Sequence, residues 1–448
     1  MRYNVKNDLQ KSGGKMSTFA KKQSPVRVIA LGFLLTILIG SVLLMFPFSL
    51  REGKSINYID SLYTATTAVC VTGLTTTVIS ETFSPIGQVI IGVLIQIGGL
   101  GVSCAGAGVM LILRKKMDLK ERNLIKTAMN LNSGKGIAKF VREIFIITVI
   151  IELIGAALSF AVFIKDYDFW SAIGKSLFHS VSSFNNSGLD ILGSESLISY
   201  KNNVLLTLIT TALIFFGGIG FLVIGEILTK KFRWKKYSMH AKVVISMSVG
   251  LIILGTLLLK LSEGEKISWL SAFFMSVSAR TAGFASTNPG LFSNAGIIVA
   301  LVLMFIGASP GSTGGGVKTS TVFVLLQNIK AAATNKSEKA FRYSIPKDTF
   351  KKAAVVVLLG LMVVIAATFF VSLLETEMNL RDLLFEMTSA YSTAGLSTGI
   401  TSSLSTGAKI VSILVMYIGR LGPLTVASFL YFSRGETFRY PEGNIAIG

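Results

Sequence analysis

The sequence predicts an all-α membrane protein made of four consecutive copies of one unit: a spanning helix, a short re-entrant helix, a glycine loop and a second spanning helix. Three observations predict it. Of 448 residues, 51% are hydrophobic and 15% charged, and mean hydropathy is +0.65, a balance found in polytopic membrane proteins. Long apolar runs recur at about 26–48, 84–113, 140–164, 203–229, 239–260, 293–333, 353–374 and 407–433, which reads as eight spans. Between the members of each consecutive pair lies a stretch too short to span: Tyr58 to Cys70, Phe169 to Phe184, Trp269 to Ala279 and Leu380 to Tyr391.

Taken in order, residues 1–25 are a polar, basic tail with no evident cleavable signal, and the run Val28 to Phe46 is long enough to span. The repeats then occupy 26–113, 139–231, 238–334 and 346–433, with a tail at 434–448. The short stretches run directly into Val71-Thr72-Gly73-Leu74, Asn186-Ser187-Gly188-Leu189, Thr281-Ala282-Gly283-Phe284 and Thr393-Ala394-Gly395-Leu396. A second register supports the repeat. Each outgoing run carries a glycine-containing break 24–29 residues after its loop glycine: Gly98-Gly99-Leu100-Gly101, Gly217-Gly218-Ile219-Gly220, Gly307-Ala308-Ser309-Pro310-Gly311 and Gly419-Arg420-Leu421-Gly422. One such break reads as ordinary helix packing; four in register read as duplication of one supersecondary unit.

The formal net charge of +20 does not indicate nucleic acid, because the basic residues are concentrated in alternate loops. Lys and Arg crowd the N-terminal tail, Arg114 to Arg142, Lys230 to Lys242 and Lys330 to Lys352, whereas the intervening loops carry mixed charge. The bias marks the basic loops and both termini as cytoplasmic; the basic loops also suit anionic lipid. Cys70 and Cys104 lie in apolar segments, and His179 and His240 have no Cys or His at ligand spacing. A disulfide framework or a metal site is therefore not expected. His179 reads as a polar packing residue and His240 as a loop residue.

Irregular backbone is tolerated at membrane depth only inside protein or along a cavity. Glycine in such a loop reaches positive φ and lets successive carbonyls turn the same way. Four loops about one axis make rings of carbonyl oxygens able to replace the hydration shell of a potassium ion, with the C-termini of four short helices aimed at the cation. Any one loop alone reads as a turn with a C-cap glycine; four together read as a cation pore.

The segment Gly307-Ala308-Ser309-Pro310-Gly311-Ser312-Thr313-Gly314-Gly315-Gly316-Val317-Lys318 interrupts the sixth run. No continuous helix survives that composition. It is not a phosphate loop, since Val317 separates Gly316 from Lys318 and no buried strand precedes it. It reads as a flexible plug below the loops, with Lys318 snorkelling to the cytoplasm. Arg420, in the fourth break, is a costly charge that faces an interior or a cavity; there it can bond the plug's carbonyls and repel a cation. Arg280 reads as a brace for the loop scaffold, and Glu152 and Glu226 as partners for such charges or as residues facing neighbouring helices.

The four glycine segments, with the glycine break and Arg420, resemble the Trk/Ktr/HKT superfamily of bacterial and plant potassium transporters, from about residue 25 to the end. The length and short loops are most similar to the KtrB branch, the membrane subunits of Ktr systems. The resemblance implies four membrane–pore-loop–membrane repeats around one pore, a potassium-channel-like pseudo-tetramer in one chain. It implies a filter of Val71 to Leu74, Asn186 to Leu189, Thr281 to Phe284 and Thr393 to Leu396, holding K+ as the transported ion. Glycine at position 73, where serine favours sodium in such proteins, points to potassium; the single-glycine loops depart from the double-glycine signature of potassium channels. The resemblance also implies an intramembrane gate at 307–318, with Gly307, Ser309, Pro310, Gly311, Ser312, Gly314, Gly315, Gly316, Lys318 and Arg420. Partners implied are a second copy (a homodimer, with the ending Tyr440 to Gly448 at its interface) and a cytosolic RCK-type ring like KtrA that binds ATP or ADP. The setting implied is a bacterial cell membrane. No motif for catalysis or for a cofactor in this chain is found. Two other readings remain: an alternating-access secondary transporter with a midplane site at broken helices, against which the parallel repeats count, and a sodium-permeable or sodium-coupled relative.

Overall fold

The computed structural model describes residues 25–112, 118–128, 136–231, 233–423 and 425–426, and the fold is mostly helical. Most of the N-terminal tail, the end of the fourth repeat and the proposed dimer-interface ending lie outside the described residues. The first of the four units expected from the sequence contains α1 (Pro25–Met45), α2 (Tyr58–Cys70), α3 (Pro85–Leu100) and α4 (Val102–Ile112); α5 (Leu119–Ala128) follows it. The second contains α6 (Ile137–Phe163), α7 (Phe169–Phe184), α8 (Val204–Ile219) and α9 (Phe221–Lys230). The third contains α10 (Met239–Glu263), α11 (Trp269–Ser278), α12 (Asn294–Phe305) and α13 (Thr319–Thr334). The fourth contains α14 (Lys347–Leu374), α15 (Leu380–Ser392) and α16 (Thr406–Leu421). A two-stranded antiparallel hairpin, Lys339–Ala340 with Tyr343–Ser344, precedes α14 and was not expected from an all-α reading.

Local chemistry repeats with the architecture. The helix after each glycine loop starts at a polar cap: Ser84, Asn203, Ser293 and Ser405 accept from the backbone N–H of Gly87, Leu206, Gly296 and Ala408. Such a cap satisfies one of the helix's orphan donors. The long helices α1, α6, α10 and α14 are apolar around much of their circumference, and side chains such as Leu35, Ile150, Ile253 and Leu358 stay exposed on the outside.

The eight apolar runs are not all continuous helices, as their glycine breaks lead one to expect. Among the described residues, four helices are long and apolar enough to cross a membrane, and two helix pairs bent by 104°, α3 with α4 and α8 with α9, bring the number to six if each pair is one span. The cause is the predicted glycine break. Gly101 (φ 83, ψ 135) and Gly220 (φ 92, ψ 145) stand where the bent pairs meet, and Gly422 (φ 87, ψ 138) ends α16 in the same conformation. Only glycine adopts that backbone readily. The third repeat breaks differently, with the segment between Ile306 and Lys318 lying outside any helix.

The first and fourth repeats are tied by an ion pair, Lys409 Nζ to Asp60 Oδ1 at 2.8 Å, with both side chains largely enclosed. Tyr63 and Ser412 add a hydroxyl pair at 3.0 Å. Asp60→Asn is expected to destabilise the protein by about 1.5–3 kcal/mol, read as a lower melting midpoint in detergent, and adding Lys409→Met is expected to recover part of the loss. An unchanged midpoint in Asp60→Asn would show that the pair does not hold the two repeats together.

Candidate ion pathway

The short helices α2, α7, α11 and α15 all end at the glycine segments. At each end the chain takes the same pair of left-handed steps. Val71 (φ 57), Asn186 (φ 57), Thr281 (φ 78) and Thr393 (φ 50) come first, and Gly73 (φ 101), Gly188 (φ 71), Gly283 (φ 82) and Gly395 (φ 80) come two residues later. The glycines were anticipated from the sequence. The first step was not: a left-handed conformation is strained for any side-chain-bearing residue and most for β-branched ones, and three of these four are valine or threonine. Such strain persists where surrounding structure enforces it. Thr72, Ser187 and Ala394 donate their N–H groups to the carbonyls of Thr67, Ser182 and Ser389, five residues back, whereas Ala282 donates to the carbonyl of Ser278, four back. Hydroxyls reinforce the turn: Thr67 Oγ1 accepts from Gly73 N–H at 2.9 Å, and Ser182 Oγ donates to the Leu189 carbonyl at 2.6 Å.

The four loops meet in a closed cycle. A Cβ added to Gly73 would stand 2.5 Å from the Ser187 carbonyl oxygen. One on Gly188 would strike the Ala282 carbonyl, one on Gly283 would stand 3.0 Å from the Ala394 carbonyl, and one on Gly395 would strike the Thr72 carbonyl. Each glycine therefore abuts the carbonyl that precedes the glycine of the next repeat, and the fourth returns to the first. On one side lies a cavity of about 380 Å³ lined by Gly73, Gly283, Gly395, Asp190, Glu195 and Thr401. The loops are buttressed from the other side: Gly98, Gly217 and Gly419 each pack so closely on a carbonyl of the preceding short helix (Val69, Phe184 and Tyr391) that a Cβ would collide with it. That close approach explains the first glycine of three breaks.

The segment between α12 and α13 is held by hydrogen bonds at several points. Phe221 N–H donates to the Gly311 carbonyl, Ser309 N–H to that of Gly218, and Thr313 N–H to that of Gly217. Ile306 and Val317 form a parallel bridge. Gly311 (φ 69) and Gly316 (φ 69) supply left-handed turns, and Ser312 Oγ donates to the Ser309 carbonyl at 2.6 Å. Pro310 offers its carbonyl side against Gly220. Gly307 lies against Gly315 and Thr281.

The charges were only partly legible. Arg420 donates from one guanidinium nitrogen to the Thr313 carbonyl and from the other to that of Gly98 at 2.5 Å and of Gly99 at 3.3 Å. It thus joins the segment to the first repeat's break. Lys318 does not snorkel: its ammonium folds back to the carbonyls of Gly314 at 2.7 Å and Gly315 at 3.3 Å. Arg280 holds Ser248 on α10, through the carbonyl at 3.1 Å and the hydroxyl at 3.3 Å. Glu152 takes the amide of Asn185 at 3.0 Å, and Glu226 takes Lys230 at 2.9 Å and the Ser238 N–H. Both stand with partners other than Arg280 and Arg420. His179 packs internally, 2.9 Å from the Thr210 hydroxyl, whereas His240 sits in the first turn of α10 rather than in a loop. Both cysteines are free and buried, and among the described residues no group of three or more His, Cys, Asp or Glu could hold a metal.

Several apolar helices, together with four short ones ending at glycine loops that meet, define a helical membrane protein. Comparison places it further. The sequence model of the TrkH family, described as "Cation transport protein", matches residues 14–260 and 255–434, and the chain belongs to that family. It is 38% identical over 444 residues to the potassium/sodium uptake protein NtpJ of Enterococcus hirae, covering 96% of this chain and 98% of that protein. It is 36% identical to the Ktr system potassium uptake protein B of Bacillus subtilis, covering 95% and 97%. The fold matches the crystal structure of the potassium transporter TrkH from Vibrio parahaemolyticus with TM-score 0.71 and 19% identity, over 92% of this chain and 86% of that one. The family is one of cation transporters in membranes, which is not an enzyme class.

Proposed function

We propose that this chain is the ion-translocating subunit of a Ktr-type complex, through which potassium enters a bacterial cell down its electrochemical gradient. The single observation that carries the reading is the cycle in which each loop glycine abuts the carbonyl preceding the next one. A ring of carbonyls at that depth replaces ion hydration, with Val71 to Leu74, Asn186 to Leu189, Thr281 to Phe284 and Thr393 to Leu396 as the filter of a four-repeat pseudo-tetramer. Residues 307–318 are the gate beneath it and Arg420 its pin. The relatives named as Ktr system proteins support assembly with other Ktr subunits: a second copy of this chain and a cytosolic ring that binds ATP or ADP. Both termini then face the cytoplasm. The experiment is cation flux from liposomes holding the purified chain, with potassium or sodium as the sole permeant ion. Flux of potassium well above that of sodium is expected, and none of either would refute the proposal. A sodium-permeable member is the second reading, favoured by the relative named for both ions, and comparable fluxes would support it.

The gate makes its own prediction. Because Gly307 to Lys318 packs on the loop residues Thr281 and Thr393 and bonds the broken helix at Gly217 and Gly218, deleting Ser312 to Gly316 is expected to raise basal potassium flux at least several-fold in the absence of any regulatory ring. Equal or lower flux from a folded deletion variant would remove the gate from the scheme.

A further inference from the structure

Three of the four residues that take the first left-handed step carry polar side chains, and all three touch the segment between α12 and α13. Thr393 Oγ1 accepts from the Gly315 N–H at 3.0 Å. The Thr313 hydroxyl lies 3.3 Å from the Asn186 amide, and that amide lies 3.3 Å from the Thr281 hydroxyl. Gly314 packs so tightly on Thr281 that a Cβ would collide with its hydroxyl, and a Cβ on Gly315 would stand 2.5 Å from Thr393 Oγ1. All three side chains are fully buried. The exception, Val71, contributes no hydrogen-bonding group.

We propose that Asn186, Thr281 and Thr393 are the seat of the intramembrane segment, so that the same side chains fix the closed position of the gate and the inner end of the filter. This rests on the transport reading above. The glycine run 314–316 then has a packing purpose. Its first two members leave room for two threonine side chains, and the third supplies a left-handed turn. The strained left-handed step acquires a purpose as well. It turns the side chain away from its own short helix and onto the segment. When the segment leaves its seat, the Gly315 N–H loses its acceptor, and Asn186 and Thr281 lose a neighbour that restrains them. Opening and filter geometry are therefore coupled, and Thr393 is a positioning residue acting through Gly315.

The experiment uses potassium and sodium flux from liposomes holding the full-length protein. Thr393→Val keeps the β-branched shape and removes the acceptor, leaving a buried N–H unpaired while the gate is seated. A penalty of the size known for an unpaired buried donor corresponds to roughly a tenfold rise in basal potassium flux, with a lower potassium-to-sodium ratio. Thr393→Ser restores the hydroxyl and is expected to return both readings most of the way. In the protein lacking Ser312 to Gly316, the tenfold gain from Thr393→Val is expected to disappear. Parental flux and ratio in Thr393→Val would overturn the seat, as would a tenfold gain that persists in the deleted protein, because Thr393 would then act on the filter alone. No potassium flux from the parent would instead refute the transport reading itself.

Discussion

Gly73→Ser is expected to lower potassium uptake by at least tenfold and to raise relative sodium permeability. The backbone at Gly73 has φ +101, and the new Cβ would stand 2.5 Å from the Ser187 carbonyl oxygen and 3.1 Å from the Gly395 Cα. A side chain in left-handed backbone costs roughly 1–2 kcal/mol, which is already about tenfold in an equilibrium, and the collision adds to it. The loop must turn or spread, and the ring loses a carbonyl in register. Potassium needs the full set to offset its dehydration, whereas sodium, being smaller, is served by fewer oxygens with water. The structure also orders the four sites. A Cβ on Gly283 meets nothing closer than 3.0 Å, whereas one on Gly188 or Gly395 strikes a neighbouring carbonyl and stands 2.7 or 2.8 Å from the Cα of Gly283. Gly283→Ser should be the mildest of the four, and potassium uptake in cells lacking other uptake systems reads the order. Four variants with parental affinity and selectivity would reduce these glycines to helix caps.

Arg420→Ala is expected to raise basal flux by about tenfold or more. The guanidinium spans two bodies, the Thr313 carbonyl of the segment and the Gly98 and Gly99 carbonyls of the first repeat's break. Hydrogen bonds from a charged donor contribute about 1.5–3 kcal/mol each, so losing the span releases the segment, and the barrier to a cation falls with the charge. Arg420→Lys keeps the charge but lacks the planar fork that reaches both bodies at once. Its flux should lie between parent and alanine variant. Flux of folded Arg420→Ala equal to the parent's would show that Arg420 neither pins nor repels.

Much of this arrangement could be read from residue order. The short helices and the broken second helices announce themselves through apolar run length and glycine spacing, because too short a run cannot span and a glycine cluster cannot continue a helix. Arg420 was legible because a charge at that depth must find acceptors. Other features depend on what the chain meets after folding. Nothing in Val71, Thr281 or Thr393 advertises left-handed backbone, since β-branched side chains oppose it and only the surrounding packing imposes it, whereas Asn186 is of a type that tolerates it. Lys318 has the side chain of a snorkelling residue, but two carbonyls three and four residues back lie within its reach. The run of glycines at 314–316 reads as flexibility in sequence and as close approach in the fold. Glu152 could not be assigned without knowing that Asn185 would stand beside it.

One cation site is expected where the four loops meet. The most direct test is anomalous scattering from crystals of the protein soaked in thallium or rubidium, both of which substitute for potassium. A peak is expected on the axis enclosed by the carbonyls of Thr72, Ser187, Ala282 and Ala394, and it should weaken when potassium is added back. A ring without a peak, together with one at the broken helices near Gly220 and Gly311, would contradict the account and place the ion at the midplane site of an alternating-access transporter.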